Sequence, residues 1–489
     1  MAEASKRSVL SVLTKGRLED LGREFGITLQ STATKEAQVA VLADSALDLP
    51  SVLGRLRRVE YQVQDEGDLV ACLEELLYLL LFFDVEPEMV GKFGETYDRA
   101  AREVYGEPMV RPAARKPGRL RVGYVSADLR NHVMGKMVWP ALSQHDKSRC
   151  ELFFYSLSAV EDDWTARYRE LANHYEVLAP LSDAAAAERI AADDIDVLVD
   201  LCTHTKGARP GILARKPARV LITHVASAGT VGLSAIDFKL TDHDADVPEN
   251  QSYQQESLLM MNGCVYPYRH VAPAQSHPFQ RTAVGIAPDT VVIGAFVTAM
   301  KLSRRCVSLW RDVLTKIPRA RLAFSPLNPA LRPMYLRALA ATGIAADRVI
   351  FLPQGRDDAE NQARYAVVDF VLDPTPYGGA NGTLEALDMG VPVVTLVGKR
   401  HGERSSYSIL KNLGVTATLA HSGREYVDLA VRLATDASFM ADVRAQIRAG
   451  LAQSALTDMA THARNLEAAY LVALEAKAPD AWAVAGAPA

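Results

Sequence analysis

From Leu120 onward, short apolar runs alternate with helix-forming segments, and this alternation limits the possible folds more than any other feature of the sequence. The runs LRVGYVSADL, CELFFYSLS, IDVLVDLC and ARVLITHVA predict strands, and the Ala-rich AAAAERIAADD predicts a helix. Strands that alternate with helices form parallel sheets, because each crossover must return the chain to the same edge. The sequence therefore predicts a Rossmann-like lobe over residues 116–278.

A second set of the same kind starts at TVVIGAFV near Thr290. Strands are predicted at ARLAFSP, RVIFLP, VVDFVLD and VPVVTLVG, with helices over CVSLWRDVLTKI, PMYLRALAATG, AENQARYA and TLEALDMG. We predict a second Rossmann-like lobe over residues 279–476, closed by a helix from Met459 to Leu474. The predicted fold class is α/β, with two Rossmann-like domains facing across a cleft and ligands at the carboxyl ends of the strands.

The segment DPTPYGGANGTLEAL, from Asp373 to Leu387, joins a predicted buried strand to a predicted helix that begins near Asn381. A glycine-rich turn at such a junction presents backbone N–H groups at the positive end of a helix, which suits an anion. An ordinary tight turn explains the same residues equally well, so the surrounding sequence must decide between the two.

The region before the first lobe is predicted to be helical. Residues 1–62 form a small module whose segment from Leu13 to Leu42 resembles a SAP-like helix–loop–helix unit. Such units often bind DNA, but acidic and basic residues nearly balance here, which favours contact with a protein or packing. Residues 63–115 predict further helices and a linker, and the Ala/Pro-rich tail over 477–489 predicts disorder.

Charge and cysteine content exclude several classes of protein. The net charge of −5 gives no chain-wide signal for nucleic acid or membrane. The five cysteines are scattered, without a CxxC pair or a Cys/His cluster, so neither zinc nor disulfides are predicted. No signal peptide is evident, and the apolar run from Leu76 to Phe83 is too short to cross a bilayer. We therefore expect a cytoplasmic protein without a metal cofactor or a membrane partner.

Several segments together resemble the catalytic region of the O-GlcNAc transferase family. They are GYVSADLRNH, DLCTHTKGARPGILARKPARV, AGTVGLSAIDFKLTD, FVTAMKLS and DPTPYGGANGTLEALDMGVPVVTLVG, spread in the expected order over roughly residues 70–475. The resemblance implies a GT-B fold, a UDP-sugar held mostly by the C-terminal lobe, a protein acceptor and no metal. The helical repeats usual at the N-terminus of the family are not evident.

The glycine-rich loop departs from the family pattern. Ala380, Asn381 and Gly382 stand where the O-GlcNAc enzymes usually carry His-Thr-Thr. The loop is more similar to that of the bacterial cytoplasmic N-glycosyltransferases, which modify asparagine. Asn381 and Glu385 are four residues apart and share a helix face, so together they suit sugar hydroxyls. A helix cap at Asn381 with an exposed first-turn glutamate is the alternative.

The resemblance also assigns the rest of the donor site. Lys301 occupies the position of a pyrophosphate-binding lysine, and Arg404 matches an arginine near the donor. The phosphates are implied to bind the backbone amides of Asn381, Gly382 and Thr383, together with the neighbouring Gly379. Asn361 and Arg364 are implied to lie against the uridine.

Acceptor-side candidates come from the first lobe. His132 matches a family histidine expected to point into the cleft, where it either accepts a proton or orients the donor or acceptor. His204 fits a family cleft position, with Lys206 nearby. His224 replaces a family tryptophan, and Lys136 replaces a second histidine.

The leading hypothesis is an inverting, metal-independent transferase that moves a hexose or N-acetylhexosamine from a UDP-sugar to Ser/Thr or Asn of a protein. A second hypothesis keeps the donor chemistry but gives it a non-protein acceptor, such as nucleic acid delivered by the SAP-like module. A third is a non-catalytic UDP-sugar-binding or scaffold protein. In the first hypothesis the N-terminal module binds the acceptor protein.

Overall fold

The computed structural model describes residues 6–47 apart from 8 and 12, then 66–109, 115, 118–226 and 228–478. Its first sheet has seven parallel strands in the order β3-β2-β1-β4-β5-β6-β7. They are β1 Leu120–Ser126, β2 Cys150–Ser156, β3 His174–Val177, β4 Val197–Asp200, β5 Val220–His224, β6 Phe238–Asp242 and β7 Ser257–Met261.

The second sheet has six parallel strands in the order β10-β9-β8-β11-β12-β13. They are β8 Val291–Gly294, β9 Ala320–Phe324, β10 Val349–Phe351, β11 Phe370–Leu372, β12 Val393–Leu396 and β13 Leu419–Ala420. In each sheet the order reverses direction next to the first strand of its lobe, which is where α/β proteins bind ligands.

Helices cover the sheets and fill the N-terminal region. Those before the first sheet are Lys15–Glu24, Lys35–Asp44, Glu66–Leu79 and Pro87–Tyr105. Those of the first lobe are Val133–Leu142, Asp163–Leu171, Asp183–Ala192 and Pro210–Ala214. Those of the second lobe and its end are Arg304–Lys316, Arg332–Ala340, Asp358–Ala363, Asn381–Asp388, His401–Leu413, Gly423–Thr435, Ala437–Gln453 and Met459–Lys477.

The predicted fold class is confirmed, and every strand predicted from an apolar run is present. Four strands were missed: β3, β6, β7 and β13. β3 and β7 lie at the two edges of the first sheet, where one face stays partly exposed and the apolar pattern is weak. β6 is buried but contains Lys239 and Asp242, and β13 has only two residues.

The helix Lys15–Glu24 of the N-terminal module begins at a threonine cap. The side chain of Thr14 accepts a hydrogen bond from the backbone N–H of Arg17 and caps a helix that starts at Lys15. Leu18 and Leu42 are buried in the same apolar cluster as Leu73 of the following helix. The module therefore packs on the helical pair over 66–105; residues 48–65 and the predicted tail over 479–489 lie outside the described residues.

The helical pair contacts both lobes. The Arg400 guanidinium of the second lobe donates to the carbonyls of Leu80 (3.0 Å) and Phe83 (2.7 Å), just after the first helix of the pair. Phe82 packs edge-on against Tyr377 of the glycine-rich loop, with ring centroids 5.2 Å apart. The N-terminal helices thus support the loop from outside the sheet.

The last helix, Met459–Lys477, is present as predicted, and it packs against the first lobe, which the sequence did not indicate. Its Tyr470 hydroxyl lies 3.1 Å from that of Tyr124 in β1. Its Glu467 carboxylate lies 2.9 Å from the Nδ1 atom of His145, whose Nε2 atom lies 2.6 Å from the Tyr124 hydroxyl. This buried network joins the end of the chain to the centre of the first sheet. Among the described residues, no helix is long and apolar enough to cross a bilayer.

Two buried histidines at this junction predict how the free energy of unfolding depends on pH. Burial lowers the pKa of His224 to about 3 and that of His462 to about 4. Between pH 6.5 and 4 the unfolded chain therefore binds protons that the folded chain does not, so the free energy of unfolding falls as the pH falls. We expect a slope of about 1.4 kcal/mol per pH unit for each histidine.

Urea unfolding between pH 7 and 4.5 measures this slope. His462→Leu should reduce the slope by about 1.4 kcal/mol per pH unit, which is the contribution of one proton. His243→Ala removes an exposed histidine and should leave the slope unchanged. An unaltered slope in His462→Leu would show that this histidine does not titrate in unfolding.

Candidate active site

A cavity of about 320 Å³ lies between the two lobes, at the carboxyl ends of the second sheet. It is large enough for part of a nucleotide-sized ligand. Its walls come from segments after β8, β9 and β10, from three helices of the second lobe and from one helix of the first. The lining residues are Val133, Lys136, Arg269, Val271, Phe296, Val297, Thr298, Ala299, Ser325, Pro326, Leu327, Leu331, Tyr335, Gln354, Asp358, Asn361, Gln362, Arg364, Asn381 and Glu385.

The Asn381–Glu385 pair forms one wall of this cavity. Asn381 Nδ2 donates to Glu385 Oε1 at 2.7 Å, and the Tyr365 hydroxyl donates to Glu385 Oε2 at 3.2 Å. Asn381 is the first helical residue and does not cap the helix; the cap is Ala380, held at φ 32° with no capping side chain. The predicted shared face is therefore present, and the alternative of an Asn381 cap is wrong.

The glycine-rich loop is held by its own hydrogen bonds. The amide of Gly379 donates to the buried Asp373 carboxylate (2.6 Å), and that of Gly382 donates to the Gly379 carbonyl (2.8 Å). The amides of these two glycines are therefore engaged within the loop, although the resemblance implied that they hold the phosphates. Asn381 and Thr383 are different, because their amides donate to no described residue, and they remain the candidate phosphate donors of this helix end. The Thr383 side chain is buried and hydrogen-bonded to Ser406.

Lys301 lies behind the loop and does not line the cavity. Its ammonium donates to the Gly378 carbonyl at 2.6 Å and stacks 4.1 Å from the centre of the Tyr377 ring. Burial lowers its pKa to about 8, although the nearby Asp373 carboxylate opposes the shift. Lys301 therefore braces the loop, at a position that the sequence assigned to a phosphate.

Arg404 is also engaged with backbone. Its guanidinium donates to the Asp244 carbonyl (2.9 Å) and to the Gly398 carbonyl (3.2 Å). It therefore connects the two lobes and does not line the cavity.

Asn361 and Arg364 both line the cavity, as the resemblance implied for the uridine site. The Asn361 side chain accepts the Gly355 amide at 2.8 Å, and Arg364 donates to the Asn361 carbonyl at 2.8 Å. The Arg364 guanidinium lies 5.0 Å from the centre of the Phe296 ring. These contacts build a flat wall that suits a planar base.

His132 stands at the start of the helix Val133–Leu142, whose next turn lines the cavity. Its Nδ1 atom lies 3.2 Å from a carboxylate oxygen of Asp128 and 3.2 Å from the Met134 amide. Burial lowers the pKa of His132, and the Asp128 carboxylate opposes this shift. Burial raises the pKa of Asp128 in turn. The sequence predicted the histidine but not the buried carboxylate beside it.

The other acceptor-side candidates do not line the cavity. His204 donates to the Val231 carbonyl at 2.8 Å and packs edge-on against Tyr97 of the N-terminal helices. Lys206 is exposed. His224 is 1% exposed and faces the closing helix. A family match in the sequence cannot show that these side chains turn away from the cleft.

The sequence also missed cavity residues whose partners are distant in the chain. Asp358 receives the Lys136 ammonium at 2.7 Å and the Arg269 guanidinium at 2.5 Å, so three segments meet at the rim. No local pattern links residues 136, 269 and 358; only the doubly wound topology brings them together.

His145, Cys150 and Glu467 are the one group of three potential metal ligands within 4.8 Å of one another in the described part of the chain. The spacing in the sequence did not indicate it. Both His145 ring nitrogens are already hydrogen-bonded, to Glu467 and Tyr124, and the pKa of Cys150 is raised to about 12 by burial. These contacts fit a hydrogen-bond network and not a metal centre.

Two Rossmann-like lobes with a ligand-sized cavity at their facing sheet ends define the GT-B class. The sequence profile of glycosyl transferase family 41 matches residues 105–272 and 270–466, so the chain belongs to that family.

Individual relatives agree with this assignment. The chain is 28% identical over 361 residues to the probable UDP-N-acetylglucosamine–peptide N-acetylglucosaminyltransferase SPINDLY of Petunia hybrida. It is 29% identical over 377 residues to the probable enzyme of the same activity named SEC from Arabidopsis thaliana. The alignments cover 72% and 75% of this chain but only 38% of each relative, so the chain spans much less than their full length.

A solved structure extends the likeness to three dimensions. A mutant O-GlcNAc transferase of Thermobaculum terrenum superposes with a TM-score of 0.77 at 28% identity, covering 91% of this chain and 84% of that one. Both the lobes and much of the N-terminal helical region are therefore shared with a solved bacterial relative.

Proposed function

We propose that this chain is an inverting, metal-independent glycosyltransferase that moves a hexose or N-acetylhexosamine from a UDP-sugar to a protein side chain, Ser/Thr or Asn. The observation that carries the proposal is the Asn381–Glu385 pair. It forms a cavity wall beside the free amides of Asn381 and Thr383, so a sugar and its phosphates find partners at one helix end. The names of the relatives support the same donor and acceptor classes.

In the proposed reaction, the acceptor oxygen or nitrogen attacks the anomeric carbon from the face opposite to UDP. The bond from that carbon to the phosphate oxygen breaks, and UDP leaves with the electron pair. Negative charge grows on the diphosphate as this happens, so fixed N–H dipoles and cations nearby lower the barrier. Lys301 acts on this charge through the loop that it braces, and the acceptor proton passes to a base for which His132 is the candidate.

The proposal needs no metal, because helix amides and Lys301 supply the positive charge that a cation provides elsewhere. It includes a cytoplasmic location, which the five buried free cysteines support, since thiols persist in reducing compartments. It also gives the N-terminal module the task of binding the acceptor protein; the packing of this module on the helices that support the loop makes such a role possible.

Calorimetric titration with UDP, UDP-GlcNAc, UDP-glucose and UDP-galactose, in EDTA and with GDP as a control, tests the donor part. We expect saturable binding and a preference for one UDP-sugar. Glu385→Gln should keep its affinity for UDP but lose about tenfold in affinity for that sugar nucleotide, because a charged hydrogen bond is lost. The surface variant Glu188→Gln should match the wild type.

Each other outcome has a defined meaning. Failure of every UDP-ligand to bind would overturn the donor assignment. Sugar binding without turnover on any acceptor would indicate a non-catalytic binding protein, and transfer to an oligonucleotide in preference to peptides would indicate a non-protein acceptor.

A further inference from the structure

Trp164 lies at the rim of the cavity with three cationic side chains around it. The charged ends of Arg167, Arg269 and Lys136 lie 4.7, 5.4 and 5.9 Å from the centre of its ring. We refer to these four residues as the Trp164 cluster. The indole itself is half-buried and packs edge-on against Trp139. Cations gather on an indole because its face is electron-rich.

The Trp164 cluster carries more positive than negative charge. Lys136 and Arg269 share one carboxylate, that of Asp358. Arg167 is exposed and forms no ion pair with any described residue. The Trp164 indole N–H likewise donates to no described residue. A guanidinium and an N–H donor are therefore both available next to a surplus of positive charge.

The position of the Trp164 cluster connects it to the reaction. Lys136 and Arg269 line the cavity as well as contacting Trp164. Trp164 and Arg167 belong to the helix Asp163–Leu171 of the first lobe, and Lys136 belongs to the helix Val133–Leu142. A group bound at Arg167 therefore lies beside two residues of the cavity wall.

We propose that the Trp164 cluster binds a carboxylate side chain of the acceptor polypeptide, close to the residue that is modified. The Arg167 guanidinium pairs with the carboxylate, and the indole N–H donates to the same group or to an adjacent peptide carbonyl. This subsite selects acceptor segments with an Asp or Glu near the modified residue. The inference rests on the proposed function, since it assigns the acceptor side of the same site.

The surroundings favour an acidic peptide over a nucleic acid. A polynucleotide needs a track of cations, because each phosphate carries a charge. Here Glu161, Asp163 and Glu170 lie along the same helix and its approach, and Glu161 is already paired with Arg169. The unpaired positive charge is thus that of Arg167 alone, and a single carboxylate neutralises it.

Fluorescence anisotropy with two labelled decapeptides tests the subsite, one of alternating Ser and Glu and one of alternating Ser and Lys, with UDP at saturation. We expect the acidic peptide to bind at least tenfold more tightly than the basic one. Arg167→Gln should weaken the acidic peptide about tenfold, because a charged hydrogen bond is lost. The matched control is Arg169→Gln, on the same helix but paired with Glu161, and it should leave peptide binding unchanged.

UDP titration of the same variants separates this inference from the proposed function. The expected result is that Arg167→Gln binds UDP as the wild type does. A loss of UDP affinity in Arg167→Gln would overturn the inference by showing that Arg167 serves the donor phosphates. Equal peptide affinities in wild type and Arg167→Gln, with UDP binding intact, would also overturn it while sparing the donor site. So would tighter binding of a ten-residue oligothymidine than of the acidic peptide.

Discussion

Lys301→Ala is expected to lower turnover by about 10³-fold and to weaken UDP binding. The ammonium of Lys301 bonds to the Gly378 carbonyl and stacks on Tyr377, so it holds the loop whose far end carries Asn381. Alanine removes both this contact and the buried positive charge behind the loop. Loss of one fixed charge-stabilising group commonly costs 10²- to 10³-fold in rate, and the loop displacement adds to it.

The pKa of Lys301 gives a second signature of the same role. Because burial lowers this pKa to about 8, the ammonium is charged at pH 7 and becomes neutral as the pH rises through 8. The affinity of the wild type for UDP should therefore fall above pH 8, whereas that of Lys301→Ala should not change there. Titration calorimetry at pH 7.0, 8.0 and 9.0 measures both effects.

Lys316→Ala provides the control for this experiment. Lys316 ends the helix that follows Lys301, but it is exposed and paired with Asp428 away from the cavity. Its removal should alter neither turnover nor UDP affinity. If Lys301→Ala behaved like this control, Lys301 would have no part in donor binding.

The strands were predictable because each is buried on both faces of a parallel sheet. VVDFVLD and IDVLVDLC contain continuous apolar runs that only such a position requires, and both became central strands, β11 and β4. β6 is also buried, but its sequence does not form a continuous apolar run. It buries Lys239, whose ammonium donates to the Ala228 carbonyl, and a buried lysine with a tertiary partner looks like a surface residue in the sequence.

The donor wall was predictable because it is local. Asn381 and Glu385 are one helical turn apart, so their contact follows from the helix alone. The side-chain contacts of Lys301 and Arg404 were not predictable, because each side chain donates hydrogen bonds to backbone carbonyls far away in the chain. Sequence similarity placed both residues near the loop but gave no information on where their side chains point.

The first-lobe candidates show the limit of the same reasoning. His204 and His224 were assigned to the cleft by motif, yet one packs on the N-terminal helices and the other on the closing helix. Both helical elements lie outside the α/β repeat. A pattern confined to strands and their following turns cannot reveal which side chains they cover.

Substitution of His132 tests directly whether this residue has a catalytic or a structural role. We expect His132→Ala to lower turnover by 10²- to 10⁴-fold, the usual contribution of general base catalysis, while UDP affinity stays unchanged. The affinity should persist because His132 is not part of the cavity lining. His421→Ala, which removes an exposed histidine of the second lobe, is the matched control and should retain full turnover.

The pH dependence of turnover distinguishes a base from a group that only orients the acceptor. A base must be neutral, and burial lowers the pKa of His132 below its ordinary value of 6.5, so turnover should fall only below that pH. The Asp128 carboxylate, 3.2 Å from Nδ1, favours the protonated histidine. Asp128→Asn should therefore move the acid limb of the profile to still lower pH, because the variant no longer stabilises the protonated imidazole. An acid limb that stays in place in Asp128→Asn, or that persists in His132→Ala, would assign the titration to another group and leave His132 as an orienting residue.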